Sequence, residues 1–273
     1  VTPGASTPSN VEGFDLSTRD AVDWLRDLSA ESLDLVITDP AYESLEKHRA
    51  IGTTTRLKHS KSSSNDWFKI FPNARFGELF AEIHRVLKPD THFYLLCDAE
   101  TMFVAKPIAV DAGFRFWKPL VWDKRTIGMG YHYRARYEVI LFFEKGKRRL
   151  NDLGVADVIS VPRVRGGYPA EKPVEVAEVL ISQSSQKGEV VADPFMGSGS
   201  VGVAAMKLGR RFLGNDLNPE AVQIAARRLS EMGALSVGRV PPEAGAAKVD
   251  PPNADAEPTQ ADLLNPAAVE RPT

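Results

Sequence analysis

The sequence predicts an α/β fold, a mostly parallel sheet with helices on both of its faces. Three observations carry this expectation. Continuous apolar runs such as "LDLVI", residues 33–37, read as strands buried on both sides. Stretches with apolar residues at helical spacing alternate with those runs along the chain. Two of the strand-like runs stop abruptly at Asp-Pro, in "ITDPAY" (37–42) and in "VVADPF" (190–195), so each ends by presenting a carboxylate.

Taken in order, residues 1–12 are rich in Pro, Ser, Thr and Gly and read as a flexible arm. "STRDAVDWLRDL" is a short helix that Ser17 or Thr18 can cap, with Val22, Leu25 and Leu28 along one face. The strand "LDLVITD" follows. Residues 43–74 are polar, basic and long for a loop inside a domain, the kind of insertion that usually carries function. In "RFGELFAEIHRVLKPD", Phe76, Leu79, Phe80, Ile83, Val86 and Leu87 keep helical spacing until Pro89 ends the helix. "THFYLLCD" is a strand. "TMFVAKPIAVDAGF" is helical in pattern, but Pro107 leaves its middle open. "WKPLVWDK" and "YEVILFFEK" are strands flanking the loop "RTIGMGYHYRAR", and a basic linker covers 144–167. "KPVEVAEVLISQ" is a helix with Pro173 in its first turn. The strand "GEVVAD", the helix "GSVGVAAMKLG" and the strand "RRFLGND" come next. The last helix, "NPEAVQIAARRLSEM", has Asn218 as its cap and Pro219 at its first position. Residues 233–273 hold too few large apolar side chains to pack and read as a disordered tail, which leaves 13–232 as the folded domain.

Composition narrows the function classes. The single cysteine, Cys97, excludes an internal disulfide framework and is expected as a small core residue in a reducing compartment. No apolar run reaches the length of a membrane span, and "VTPGASTPSN" lacks the charged and apolar regions of a secretory signal, so a cytoplasmic protein is expected. The formal net charge of −2 conceals a strong asymmetry. Residues 115–172 carry about +7 and residues 43–75 about +4, while the tail from 231 carries about −4. Basic zones on a neutral chain point to a polyanionic partner, although each zone alone is also what a solvated surface looks like. The five histidines show no metal-ligand spacing. His84 and His92 read as structural, whereas His132, in "GYHYRAR", is open both to a structural role and to one at DNA or the base pocket. The four tryptophans read as packing residues, Trp122 being the least certain.

"GSGSVG", 197–202, matches G-x-G-x-x-G between a strand and a helix. A nicotinamide or flavin enzyme, with Asp216 as its ribose acid, is one reading. Against it, Asp193 ends the strand just ahead of the turn, where a pyrophosphate is repelled and a cationic ammonium is welcome. Pro194 and Phe195 also separate the strand from the glycines. S-adenosylmethionine (AdoMet) satisfies this pattern: its amino group pairs with Asp193, Gly197 and Gly199 admit it closely, and Asp216 holds its ribose. The plainer alternatives are a helix cap for Asp193 and a turn acid for Asp216. Strand ends of such sheets line the binding crevice, so Asp39 and Tyr42 face the same cleft. An acid and an aromatic beside a methyl donor suit methylation of an exocyclic amine. The Asp39 carboxylate and the Pro40 carbonyl draw on the NH2 group, and Tyr42 offers a stacking face to an extruded base.

At this point the chain resembles the permuted, beta-class amino-methyltransferases that modify DNA. "DPAY" is similar to their D-P-P-[YF], and "DPFMGSGS" to their D-P-F-x-G-S-G. "YPAEKPVEVAEVLI" is similar to their H-P-x-x-K-P-V-E-L helix, "GNDLNPEAV" to their acidic ribose motif, and "VWDKRTIGMGYHYRARYEVILFF" to the segment behind their target base. The resemblance spans roughly 14–232. It implies a Rossmann-like class I methyltransferase fold in circularly permuted motif order, AdoMet as cosubstrate, no metal, and duplex DNA as substrate. It implies adenine N6 rather than cytosine N4, because the first motif position is an acid. It adds Pro194, Phe195, Ser198, Lys172 and Pro173 to the cofactor-binding set. Lys124, Arg125, Arg134, Arg136, Lys145, Lys147, Arg148 and Arg149, with Arg163 and Arg165, are the expected phosphate contacts in and around the basic segments. A homodimer and a companion restriction endonuclease are compatible with the family. Ala41 replaces its second proline, which loosens the loop after Asp39, and Tyr168 replaces its histidine. The competing readings are a cytosine-N4 or RNA methyltransferase, a catalytically weak DNA-binding relative and, remotely, a nicotinamide oxidoreductase.

Overall fold

The computed structural model describes residues 13–44, 69–128, 133–166, 168 and 170–232. The arm, most of the 43–74 insertion with Trp67, His132 and the tail lie outside the described residues.

The chain order is β1 (Phe14–Ser17), α1 (Ala21–Asp27), β2 (Leu33–Thr38), a 3-10 turn (Asn73–Arg75), α2 (Phe76–Val86) and β3 (Leu87–Cys97). It continues with α3 (Ala99–Asp111), β4 (Arg115–Asp123), β5 (Tyr137–Lys145), β6 (Val158–Ser160), α4 (Val174–Ser184), β7 (Val190–Asp193), α5 (Ser200–Lys207), β8 (Arg211–Asn215) and α6 (Pro219–Glu231). The strands form one sheet in the order β1-β8-β7-β2-β3-β5-β4-β6. β5 alone runs antiparallel to its neighbours, β3 and β4. The sheet is therefore mostly parallel, in agreement with the sequence.

Every residue of β2 is buried, because helices cover both faces. Leu33 and Val36 pack with Leu25, Phe80 and Ile83 of α1 and α2 on one side. Leu35 and Ile37 pack with Leu180, Val203 and Val222 of α4, α5 and α6 on the other. Burial of these apolar faces, at roughly 25 cal/mol per Å2, is what drives the layers together. β2 leads through α2 to β3 on one side of the sheet, and β7 leads through α5 to β8 on the other. The chain thus reverses direction between β2 and β7, and the crevice outside their carboxyl ends is where such sheets bind ligands.

Four sequence expectations need correction, and the open middle of α3 is settled. α2 ends at Val86, and Leu87 and Pro89 belong to β3, so the helix stops before the proline. The cap of α1 is Asp20, whose carboxylate accepts from Val22 N (3.0 Å) and Asp23 N (3.4 Å), because Ser17 is the last residue of β1. The 144–167 linker contains an edge strand, β6, paired in parallel with β4 through Trp122↔Ile159. Trp117 is exposed, its indole N–H donating to Glu144 at 2.9 Å. Pro107 does not break α3: the carbonyl it deprives of a partner belongs to Phe103, on the solvent side of the helix. His92 is buried and bonds Ser184 Oγ at 2.7 Å and the Arg148 carbonyl at 3.1 Å, which fits its structural reading.

Candidate active site

Three acids reach the same sheet edge. Asp39 follows β2, Asp193 ends β7, and Asp216 follows β8. All three line one cavity of about 810 Å3, together with Pro40, Tyr42, Pro194, Phe195, Gly197, Ser198, Lys172 and Pro173. The sequence-predicted cofactor and catalytic residues are thereby brought together, apart from Gly199, which shapes the turn from below. That volume lies within the range of pockets that enclose a cofactor-sized ligand.

The glycine turn is built by close packing. Gly199 has φ +80°, and a Cβ there would fall 2.8 Å from the Cβ of Ala225 on α6. Gly199, not Asp193, is the residue that caps α5, so the helix-cap alternative for Asp193 does not hold. Asp193 is 3 % exposed. Its Oδ1 accepts from Thr38 Oγ1 at 2.9 Å and from Phe195 N at 3.0 Å. Burial pushes its carboxyl up to about 8, against those two hydrogen bonds. No lysine or arginine among the described residues pairs with it. Asp216 accepts from Gly197 N (2.9 Å) and Asn218 N (2.8 Å), so it is a turn acid that also ties the glycine turn to the loop after β8. Burial raises its carboxyl as well. The Ser200 hydroxyl, in the same cavity, is buried without a hydrogen-bond partner among the described residues.

These features fit a ligand with a cationic ammonium and vicinal hydroxyls. A buried carboxylate lacking a cation, glycines that admit a close approach and an acid at the next strand end supply what AdoMet presents.

At the other end of the cavity, the Tyr42 hydroxyl donates to Asp39 Oδ1 at 2.6 Å. Tyr42 is only 7 % exposed and packs in the core under the loop, so its hydroxyl is engaged while its ring offers little open face. The Lys172 ammonium pairs with Asp39 Oδ2 and stands 3.5 Å from Glu138 Oε2. Lys172, expected to hold the cofactor, is thus engaged by the acid. The Lys124 ammonium lies 2.6 Å from Glu138 Oε1, so this expected DNA contact is also turned inward. Burial raises the Asp39 carboxyl against the pull of Lys172. Glu138 is lowered: burial opposes its charge, but Lys172 and Lys124 outweigh burial.

The loop carrying Ala41 is held from outside. Its carbonyl accepts from Phe71 N at 2.8 Å, Glu43 Oε1 accepts from Asn73 N at 2.8 Å, and Ser44 Oγ donates to Asp98 at 2.6 Å. These contacts fasten the loop at and after Ala41, where the family's second proline is missing.

The basic residues divide. Arg125, Arg134 and Arg136 are exposed on the β4–β5 connection, at the edge that carries Asp39. Lys145, Lys147, Arg148 and Arg149 follow β5 to the opposite edge. The register Cys97↔Val139 to Thr91↔Lys145 spans roughly 20 Å at about 3.3 Å per residue. Lys145 donates to the carbonyls of His84 (2.8 Å) and Leu87 (2.6 Å), closing the end of α2. Arg148 is half-buried beside Glu189 at 3.5 Å. These four therefore lie away from the edge that carries Asp39, Lys147 and Arg149 exposed and Lys145 and Arg148 engaged within the fold.

A cavity at the chain-reversal point, lined by a glycine turn and a strand-end acid for a nucleoside cofactor and by a second acid-aromatic loop, defines a methyltransferase-type α/β enzyme. The chain belongs to the DNA methylase family, which matches residues 33–227. It is 28 % identical over 251 residues to the DNA adenine methyltransferase YhdJ of Escherichia coli K12, covering 77 % of this chain and 80 % of that protein. It is 27 % identical over 237 residues to the type II methyltransferase M.HpaI of Haemophilus parainfluenzae, covering 77 % and 72 %. Among solved structures it is similar to the TTHA0409 protein of Thermus thermophilus, with a TM-score of 0.62, 22 % identity and coverage of 82 % and 99 %, a likeness in fold.

Sequence reasoning does not single out Glu138, which reads as one residue of the strand "YEVILFF". Only the register that sets it opposite Trp122 shows its place beside the acid.

Proposed function

We propose that residues 13–232 form an AdoMet-dependent methyltransferase acting on the N6 amino group of adenine in duplex DNA. The observation that carries this reading is the single cavity shared by Asp193 and Asp39, one acid suited to a cationic cofactor and one to an amine substrate. Adenine is favoured by the acid at the first position of "DPAY" and by the likeness to a relative named as an adenine methyltransferase. AdoMet, when bound, supplies a methyl group bonded to a positively charged sulfur. Asp193 pairs with its ammonium, Asp216 holds its ribose hydroxyls, and Gly197 and Ser198 border it. Asp39 accepts a hydrogen bond from the target NH2 and, as a carboxylate, stabilises the positive charge that develops on that nitrogen. The Pro40 carbonyl is a second acceptor for the same group. Tyr42 steadies Asp39 through its hydroxyl, and its ring becomes a stacking face when the loop admits a base. Arg125 and Arg134, exposed at the sheet edge that carries Asp39, meet phosphates, while Arg136 is held in a bidentate pair with Asp123 at 2.6 and 2.9 Å.

The test is methylation of unmethylated duplex DNA with labelled AdoMet, followed by nucleoside mass spectrometry. N6-methyladenine is expected, and Asp39→Ala is expected to lose turnover while keeping DNA affinity. N4-methylcytosine would overturn the base assignment but not the chemistry. Binding of DNA without turnover in the unmutated protein would leave only a binding relative.

A further inference from the structure

We infer that Glu138 is a positioning residue for this reaction: it shares the Lys172 ammonium with Asp39 and takes it over when Asp39 accepts the substrate amine. This rests on the proposed role of Asp39. Both oxygens of Asp39 are occupied, Oδ1 by the Tyr42 hydroxyl at 2.6 Å and Oδ2 by Lys172. A weakly basic amine arriving there competes with a full ammonium, so the ammonium needs another acceptor. Glu138 Oε2 is buried and stands 3.5 Å from the same Nζ, within ion-pair range but too long for a good hydrogen bond, and no other group among the described residues bonds it. That loose contact is the second position open to Lys172. A lysine ammonium has three donors on a flexible stem, so the transfer needs only a small rotation.

Glu138 is held in place on its other side. Its other oxygen is anchored by Lys124 at 2.6 Å, and the Lys124 ammonium rests over the Trp122 ring, 5.2 Å from its centroid. The Trp122 indole N–H in turn donates to the Val161 carbonyl at 2.8 Å. The anchored Glu138 and the mobile Lys172 make a two-position device beside the acid. The other titratable groups facing Asp39 are Tyr42 in its own loop, Cys97 at the end of β3 and Asp193 at the end of β7. Burial keeps the first two neutral by raising their hydroxyl and thiol, so Glu138 and Lys172 are the charges that can act in opposite senses.

The experiment compares Glu138→Gln and Lys172→Met with the unmutated enzyme. The acid limb of kcat/KM against pH reports the free enzyme's essential base. Removing the Glu138 charge is expected to move that limb to lower pH, and removing Lys172 to higher pH, each by about one unit, the scale of a neighbouring charge. Glu138→Gln is also expected to lower kcat on the plateau about tenfold, because Lys172 then stays on Asp39. The limb shifts show that both charges face Asp39, the plateau loss is what hand-over of Lys172 adds, and a Glu138 that only fills space moves neither the limb nor the plateau. Carboxyl-labelled NMR of cofactor-free protein, with Asp39→Asn for assignment, reads the same opposed shifts without turnover. An inactive unmutated protein therefore counts against the proposed function, while unshifted or same-direction titrations count against this inference. Glu138→Gln is isosteric and decides alone if Lys172→Met does not fold, since its limb must fall.

Discussion

The Tyr42 hydroxyl and the Asp39 carboxylate meet at 2.6 Å within one loop, the shortest route by which the sequence could steady its acid. A hydrogen bond to a charged group contributes about 1.5–3 kcal/mol. Tyr42→Phe removes that bond and keeps the ring in its core position. It is expected to lower kcat/KM by roughly tenfold or more and to lower the melting temperature by several degrees, the loss of that one bond. Tyr42→Ala also empties buried volume and is expected to destabilise the fold by about 3–5 kcal/mol. Steady-state kinetics with thermal unfolding separates the two. Unchanged kinetics in Tyr42→Phe would remove the hydroxyl from the mechanism.

Asp193 makes the cofactor end of the cavity sensitive to pH. Its folded-state carboxyl lies near 8, well above an ordinary carboxylate, because it is buried without a cation. Between about 4 and 8 the folded protein holds a proton there that the unfolded chain has lost. Stability of the cofactor-free protein therefore falls as pH rises through that window and levels off above it. An ammonium ligand pairs with the carboxylate, lowers its pKa and expels the proton. Calorimetry of AdoMet binding at pH 7, in two buffers of different ionisation heat, is expected to show proton release. Asp193→Asn should abolish that release and weaken binding. Release that persists in Asp193→Asn would assign the proton to another group.

Gly199 sits at φ +80°, with Ala225 of α6 where a side chain would begin. Gly199→Ala incurs a left-handed backbone penalty of about 1–3 kcal/mol and an added clash at 2.8 Å with a rigid methyl. A fall in melting temperature of several degrees is expected. AdoMet should restore less stability to this variant than to the unmutated protein, because the turn it lines has moved. A variant with unchanged melting temperature would show that α6 yields freely.

The catalytic and cofactor loops are legible in the sequence because each opens with Asp-Pro at the end of an apolar run, and strand ends in a parallel sheet converge. β1 and β6 are not legible. "FDLS" and "VIS" are too short for a pattern to emerge, and pairing with β8 and β4 forms them. The position of Asp193 and Asp216 after a strand is enough to mark them. The partnership of Lys124 and Glu138 stays hidden, since it depends on a hairpin register that adjacent residues do not reveal. Lys145 misleads for the complementary reason. It lies only seven residues from Glu138 in the chain, but β5 carries it to the other edge of the sheet, where its charge closes a helix end.

That division of the basic residues gives the last expectation. Arg125 and Arg134 use one face of their guanidinium groups on Ser160 and the Gly128 carbonyl, at 3.1 and 2.6 Å, and keep other N–H donors available at the cavity edge. Each phosphate neutralised releases counterions, so binding weakens linearly in log salt with a slope near the number of contacts. Arg125→Ala and Arg134→Ala are each expected to reduce that slope by about one and to weaken binding to any duplex alike. Lys147→Ala and Arg149→Ala, at the far edge, are expected to leave the slope unchanged. The measurement is duplex affinity by fluorescence anisotropy over a range of salt concentrations. If the far-edge pair lowered the slope as much as the arginines, the duplex would have to wrap past the sheet edge, and the cavity mouth could not be its sole docking face.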